Sequence, residues 1–298
     1  MCDGRGGGSP PSLNRSLITD HLSLGGAAVA DNRPLDGEWA LILGASSGFG
    51  EATALELASL GMNIFGVHLD RKATQANADR IVSEIKAKGR EAVFINANAA
   101  AEETRQEVLD AIQARLKDSH SSSRVRVLLH SLAFGTLKPY IAPSPGDTIA
   151  KPQMDMTLEV MAHSLVYWTQ DLVARGLMGK GGRIYAMTSA GGARVWKTYG
   201  AVSAAKAALE SHIRQLTLEL APLGITANAI MAGVTDTPAL RKIPGSDEMI
   251  AMAKRKNPSG RLTTTQDVAE AIGLLSLPKA QWITGNVLCV DGGEFIVD

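Results

Sequence analysis

The strongest chemical potential in this sequence lies in KTYGAVSAAKAALE, residues 197–210, where Tyr199 and Lys206 stand seven positions apart among alanine, glycine and serine. On a helix each residue adds about 100°, so seven residues return the chain to within about 20° of the same face, about 10 Å along the axis. Both side chains can then enter one cleft. A phenol with a pKa of about 10 is a weak acid, but a nearby ammonium lowers it and orients it toward a substrate oxygen that gains negative charge. Tyr199 is therefore the candidate oxyanion donor and Lys206 its candidate partner. Ser189, at the end of GRIYAMTS, could bond a ketone oxygen or merely a backbone group at a strand end. Tyr185, in the same stretch, reads as packing.

An oxygen that becomes negative as hydride arrives would meet this donor, and the sequence offers a place for the hydride source. LILGASSGFGEATALELA sets Gly44, Gly48 and Gly50 between an apolar run and a helical stretch, with Ser46, Ser47 and Phe49 in the same loop. Glycines there allow a tight turn and close approach of backbone to a pyrophosphate, and the helix amino terminus adds free N–H groups. The loop is a candidate dinucleotide site. The next apolar run ends GVHLDRK: His68 falls where a ribose contact is expected, and Arg71 with Lys72 suits an extra phosphate. NADPH is the expected reductant, with NADH as the alternative, because a carboxylate at Asp70 can equally be a helix cap. Asn98 and Ala99 are expected beside the adenine, and Ser131, Leu132 and Ala133 against the nicotinamide half. Lys206 would also hold the nicotinamide ribose hydroxyls. No cysteine or histidine spacing suggests a metal.

These residues need a scaffold, and the order of elements supplies one. From Glu38 onward, short apolar runs (WALILG, MNIFGVHL, EAVFINA, VRVLLH, GGRIYAMTS, GITANAI, NVLCVDGG) alternate with helical stretches. Strands that are apolar throughout and separated by helices imply a parallel sheet covered on both faces. The expected fold is a single doubly wound α/β domain of the Rossmann type over residues 37–298. Segments 131–153 and 232–262 break the rhythm, and each follows the carboxyl end of a strand, where substrate walls are expected.

Thirty basic residues balance 30 acidic ones in a chain of 298, so no global field points to nucleic acid or a membrane surface. No apolar run approaches the roughly 20 residues of a membrane helix. Two cysteines make no disulfide framework, and a reducing cytoplasm fits best. Glycine, serine and proline crowd residues 4–12, so 1–36 read as a flexible or loosely docked extension. AKRKNP, residues 253–258, places Lys254, Arg255 and Lys256 beside the second irregular segment, as a solvated face or a dock for an acidic partner. His130 reads as a hydrogen-bonded structural histidine. Trp196 and Phe134 read as pocket lining or packing.

GASSGFG, TSAGG, SAAKAALE, ITANAIMAG and VDGG occur in this order, and together they resemble the short-chain dehydrogenase/reductase superfamily over about residues 37–298. The general family spaces its catalytic pair Tyr-x3-Lys, which would demand a tyrosine at Val202. The Tyr-x6-Lys spacing of Tyr199 and Lys206 is instead similar to the bacterial enoyl-acyl carrier protein reductases, a divergent branch. LLHSLAF (128–134) and AGVTDTPALRKIPGSDEM, like that branch's substrate loop, extend the resemblance; Gly233, Thr235 and Thr237 head that loop and are expected at the cofactor. The resemblance implies a homotetramer of fatty acid synthesis that reduces the C2=C3 bond of a trans-2-enoyl thioester, on acyl carrier protein or coenzyme A. The Gly-x3-Gly-x-Gly loop resembles the NADPH-using subgroup. Ser189 departs from the branch, standing where many of its members carry a second tyrosine, and Met161 stands where ordinary family members carry an asparagine. A carbonyl or alcohol oxidoreductase and a non-catalytic dinucleotide-binding protein are the alternative readings.

Overall fold

Among the described residues, seven strands and eight helices follow one another as the apolar runs foretell. The computed structural model describes residues 33–117 and 124–297; residues 1–32 of the expected extension, 1–36, lie outside them. The strands are β1 (Trp39–Leu43), β2 (Asn63–His68), β3 (Ala92–Asn96), β4 (Val125–His130), β5 (Arg183–Ser189), β6 (Thr226–Ala232) and β7 (Val287–Val290). All neighbours are parallel, in the order β3-β2-β1-β4-β5-β6-β7. The order reverses between β1 and β4, which opens a crevice above their carboxyl ends. This is the expected doubly wound α/β fold.

The helices are α1 (Gly48–Ser59), α2 (Gln75–Ala87), α3 (Glu102–Lys117), α4 (Lys151–Leu158), α5 (Ser164–Ala174), α6 (Gly200–Leu220), α7 (Ser246–Lys256) and α8 (Thr265–Ser276). Because β1, β4, β5 and β6 are apolar on both sides, each face of the sheet has its own core. One packs Leu41, Phe65, Leu128 and Ile184 against Val108, Leu165, Trp168, Leu209 and Ile213 of α3, α5 and α6. The other packs Ile42, Ile64, Leu129 and Ile230 against Leu57, Ile81, Val268 and Ile272 of α1, α2 and α8. Gly50 lets α1 approach β1: a Cβ there would lie 2.0 Å from the Gly44 carbonyl oxygen. Tyr185 is buried in the second core and Trp168 in the first, where its indole donates to the Ala99 carbonyl at 2.8 Å.

Two expectations need adjustment. Arg33 to Asp36 belong to the domain, since Leu35 is 2% exposed and its amide bonds the Leu60 carbonyl. Burial on both faces holds for the central strands but not for edge strands β3 and β7, whose residues are partly or fully exposed; an edge lacks the neighbour whose helices would cover it.

Between α4 and α5 the helix widens into a π-turn, Glu159–His163. Met161, at the family's asparagine position, is buried there in the core. The next residue but two, Ser164, receives buried His130 from the end of β4, Nε2 to Oγ at 2.9 Å. Burial pulls the His130 imidazole down to about 3, with the Lys206 charge adding to the effect. His130 is thus a neutral, hydrogen-bonded structural histidine.

Candidate active site

Four strand ends build the cleft. At the end of β1 the loop Gly44–Ser47 turns into α1, and Ser47 caps that helix with extended backbone and no side-chain hydrogen bond. Its first N–H groups face outward from a helix whose dipole favours an anion. Gly48, with φ +57, lies across from Thr237, so a Cβ on it would point at the Thr237 methyl 3.7 Å away. The glycine loop and the loop after β6 therefore face each other across a strip lined by backbone and threonine, which fits a pyrophosphate. Thr235 and Thr237 are both buried, and Gly233 heads the same loop at the end of β6. Ser131 hydrogen-bonds back to Leu43 at 2.9 Å, which brings Ser131 and Leu132 beside Gly44, while Ala133 is exposed beyond them.

The adenosine side is arranged differently from expectation. His68 is buried, and its Nδ1 lies 2.8 Å from Asp70 Oδ2. The imidazole is thus buried against the carboxylate two residues on. Burial opposes ionisation of Asp70, but hydrogen bonds with Ser46, Thr74 and His68 outweigh it and hold the carboxyl below its ordinary range. Asp70 thereby bridges β2 to the glycine loop through Ser46, and at 20 residues beyond Gly50 it stands where an acidic residue can meet a ribose hydroxyl. Arg71 and Lys72 are exposed with no ion-pair partner among the described residues. Asn98 is exposed after β3 and caps the Ala100 amide, whereas Ala99 is 5% exposed inside the core and its carbonyl is taken by Trp168. From that pair only Asn98 remains available to an adenine.

The candidate catalytic residues gather at the end of β5. Tyr199 is not within α6 but caps it: its backbone has φ −88 and ψ 0, and its carbonyl accepts from the Ser203 amide at 2.8 Å. The helical seven-residue geometry therefore needs correction, because the residue before it, Thr198, holds a left-handed φ of +65 that swings the chain into the helix. The Tyr199 ring lies on Gly191, and its hydroxyl donates to Ser189 Oγ at 3.5 Å. Ser189 in turn accepts from the Gly191 amide at 3.1 Å. Lys206, 5% exposed, donates from Nζ to the Met187 carbonyl at 2.6 Å. Both partners, the Met187 carbonyl and the Ser189 hydroxyl, lie in the last three residues of β5, so phenol and ammonium are both anchored at that strand end.

Electrostatics at this edge also differ from expectation. Burial pushes the Tyr199 phenol up, and the Ser189 bond offsets only part of that. Desolvation rather than the lysine charge governs the phenol. Burial pulls Lys206 itself down to about 8, with Glu210 opposing. Glu210 stands one turn on and accepts from Thr188 at 2.6 Å. Sequence reasoning passed over Glu210 because a glutamate at a helical surface position carries no signal of its own.

The walls come from the two irregular segments. Trp196 donates to the Pro244 carbonyl at 3.2 Å and packs on Gly245, so it clamps the second segment beside Tyr199. Phe134, Tyr140, Ile141 and Val195 are exposed around the opening. Lys254 and Arg255 are exposed at the end of α7.

A doubly wound sheet that presents a helix amino terminus to a dinucleotide and a phenol, serine and lysine to its reactive end defines a class, the short-chain NAD(P)H-dependent oxidoreductases. The sequence profile of the enoyl-(acyl carrier protein) reductase family matches residues 44–294. The chain belongs to that enoyl reductase-like family of short-chain dehydrogenases/reductases. It is 30% identical over 268 residues to an NADPH-dependent aldehyde reductase-like protein of Arabidopsis thaliana, covering 87% of this chain and 95% of that one. It is also 30% identical over 260 residues to the 1-cyclohexenylcarbonyl-CoA reductase of Streptomyces collinus, covering 86% of each. The fold matches the enoyl-[acyl-carrier-protein] reductase (NADH) of Aquifex aeolicus with a TM-score of 0.76 at 23% identity, over 89% of this chain and 98% of that one.

Proposed function

We propose that this enzyme reduces the C2=C3 bond of a trans-2-enoyl thioester with NADPH. The observation that carries the reading is the position of the acid. Val202, where a carbonyl reductase of the general family keeps its tyrosine, is 4% exposed in the core and packs against Gly135. Tyr199 is left as the phenol at the reactive edge, set back from Lys206 by nearly a further turn.

That displacement suits an alkene. In carbonyl reduction the hydride and the proton reach adjacent atoms. In enoyl reduction the hydride reaches C3, while charge develops on the thioester oxygen two carbons away, so the donor must stand further off. A three-residue shift along a helix is worth about 4.5 Å. The bound dinucleotide supplies the hydride. Tyr199 stabilises the enolate oxygen with its hydroxyl, Ser189 orients that hydroxyl, and Lys206 holds the ribose edge; C2 is then protonated from tyrosine or solvent. The name of the Streptomyces relative, a reductase of a cyclohexenyl carbonyl thioester, supports the thioester reading.

For the reductant, His68 already engages Asp70, whereas Arg71 and Lys72 are exposed with no ion-pair partner among the described residues and can take a ribose phosphate. NADPH is therefore the proposed cofactor. An acidic acyl carrier protein is the proposed donor of substrate, with Lys254 and Arg255 to meet it. Trp282, 97% exposed, and Leu274, 67% exposed, flank the open edge at β7, an apolar surface that supports the proposed homotetramer.

The Tyr199–Ser189 pair also favours a second reading, reduction of a ketone or aldehyde, which the name of the Arabidopsis relative shares. One assay separates the two: loss of nicotinamide absorbance with NADPH, then NADH, on a short trans-2-enoyl thioester and on its 3-ketoacyl counterpart. Turnover of the enoyl compound alone supports the proposal; turnover of the ketoacyl compound alone refutes it.

A further inference from the structure

We infer that the C-terminal turn Glu294–Ile296 is a clasp that sets the position of both active-site loops, with Glu294 as the positioning residue for the loop that meets the dinucleotide. The inference rests on the family's use of a dinucleotide and on the expectation that Gly233, Thr235 and Thr237 contact it. It does not depend on which bond is reduced.

The turn is tied on three sides. Both Glu294 oxygens accept from the Val234 amide, Oε2 at 3.1 Å and Oε1 at 3.3 Å. Gly233, one residue earlier, is wedged: a Cβ there would lie 2.4 Å from Thr263 Oγ1, 2.9 Å from Glu294 Oε2 and 3.1 Å from Asp291 Cβ. On the second side Arg194, five residues before Tyr199, stacks its guanidinium 4.4 Å over the Phe295 ring and donates to the Phe295 carbonyl. On the third, Asn257 at the end of α7 donates to the Asp291 carbonyl at 2.9 Å. Asp291, buried, holds the turn itself by accepting from Gly293 at 3.0 Å and Phe295 at 2.8 Å.

A carboxylate is a costly way to hold one amide. Burial pushes the Glu294 carboxyl up; Asp291 pushes it further, while the Val234 amide, Arg194 and Lys256 pull it back. A residue needed only for packing would be apolar here. What a charge adds is a strong, directional bond to the peptide that starts the loop. That bond fixes the height of Thr235 and Thr237 over the glycine loop.

Glu294→Gln and Glu294→Ala test the clasp, with NADPH itself as the probe and fluorescence titration as the readout, without any acyl substrate. Glu294→Ala should weaken NADPH binding about tenfold, the loss expected for one charged hydrogen bond, and Glu294→Gln by a smaller factor. In both, kcat at saturating NADPH should stay within about twofold of the parent, because Tyr199 and Ser189 are untouched. Arg194→Ala should show the reverse split, lowering kcat with little change in NADPH affinity. If Glu294→Ala does not fold, Glu294→Gln is measured together with hydrogen exchange at the Val234 amide, which should lose protection. NADPH affinity and Val234 protection equal to the parent in Glu294→Gln would overturn the inference. Failure of the parent to bind either NADPH or NADH would overturn it too. Binding of NADH alone would remove only the proposed cofactor and move the same titration to NADH, and failure to reduce an enoyl thioester would remove only the proposed substrate.

Discussion

Lys206 is the residue whose environment makes the sharpest demands. A buried ammonium held at about 8 is charged at neutral pH and loses its charge just above it. Its ordinary value is higher, so the charged form is disfavoured by folding: the penalty is complete below about pH 8 and fades as pH rises toward the unfolded value near 10.5. Two outcomes follow at this scale. The kcat/KM profile, which reports free enzyme, should fall on an alkaline limb near pH 8. Tyr199, pushed upward, stays protonated across that range and adds no limb below it. Lys206→Met should abolish turnover yet raise the melting temperature by roughly 5 °C at pH 7, since an ionisation penalty of roughly 3 kcal/mol outweighs about 1 kcal/mol for the bond to Met187. A melting temperature that falls would show that Lys206 is a net stabiliser. Tyr199→Phe should lower kcat by about 100-fold or more while leaving NADPH affinity unchanged in the same titration. These residues were legible because their types and spacing are chemically unusual. His68 was misplaced because a position count fixes the backbone but not which way an imidazole turns, and here Asp70 captured it.

At the scale of elements, every strand and the main helices could be read from periodicity, since apolar runs of period two or none and helical stretches of period 3.6 differ so plainly. What could not be read was the start of α6. Local pattern runs smoothly through KTYGAVSAAK, yet the helix begins only at Gly200 because Thr198 adopts a left-handed backbone that no threonine prefers. The same holds for the π-turn at Glu159–His163, which has no composition signature. The position of Tyr199 outside the helix makes a prediction that concerns packing rather than chemistry. Val202→Tyr would restore the spacing of a general carbonyl reductase, but Val202 Cγ2 already lies 2.9 Å from where a Cβ on Gly135 would sit. The variant should lose about 1–3 kcal/mol in denaturant unfolding and gain no ketone reduction. Gain of ketone reduction with unchanged stability would show that spacing alone chooses the substrate.

For the molecule as a whole, composition excluded much and specified little: a balanced charge is common to countless soluble enzymes. Sheet order gave the location of the cleft, because only a reversal between β1 and β4 opens one. The proposed assembly is a property of this scale. Replacing Trp282 by Asp should shift the mass measured by light scattering toward a smaller species without changing the fold, as judged by circular dichroism; an unchanged mass would place the interface elsewhere. The C-terminal clasp also belongs here. It joins segments around residues 194, 234, 257 and 294, separated by as much as a third of the chain, and no local window of sequence contains it.

Trp196 closes one further possibility. The chain has four tryptophans. Trp39 and Trp168 are fully buried and Trp282 is fully exposed, so their emission should sit at the blue and red extremes and stay there. Trp196, pinned by its indole to Pro244, lies on the wall of the cleft, and its emission wavelength depends on whether that wall is seated. With Trp282 replaced by Phe, a change in emission on mixing with NADPH would report on that wall, readable in a stopped-flow mixer on the timescale of a single turnover.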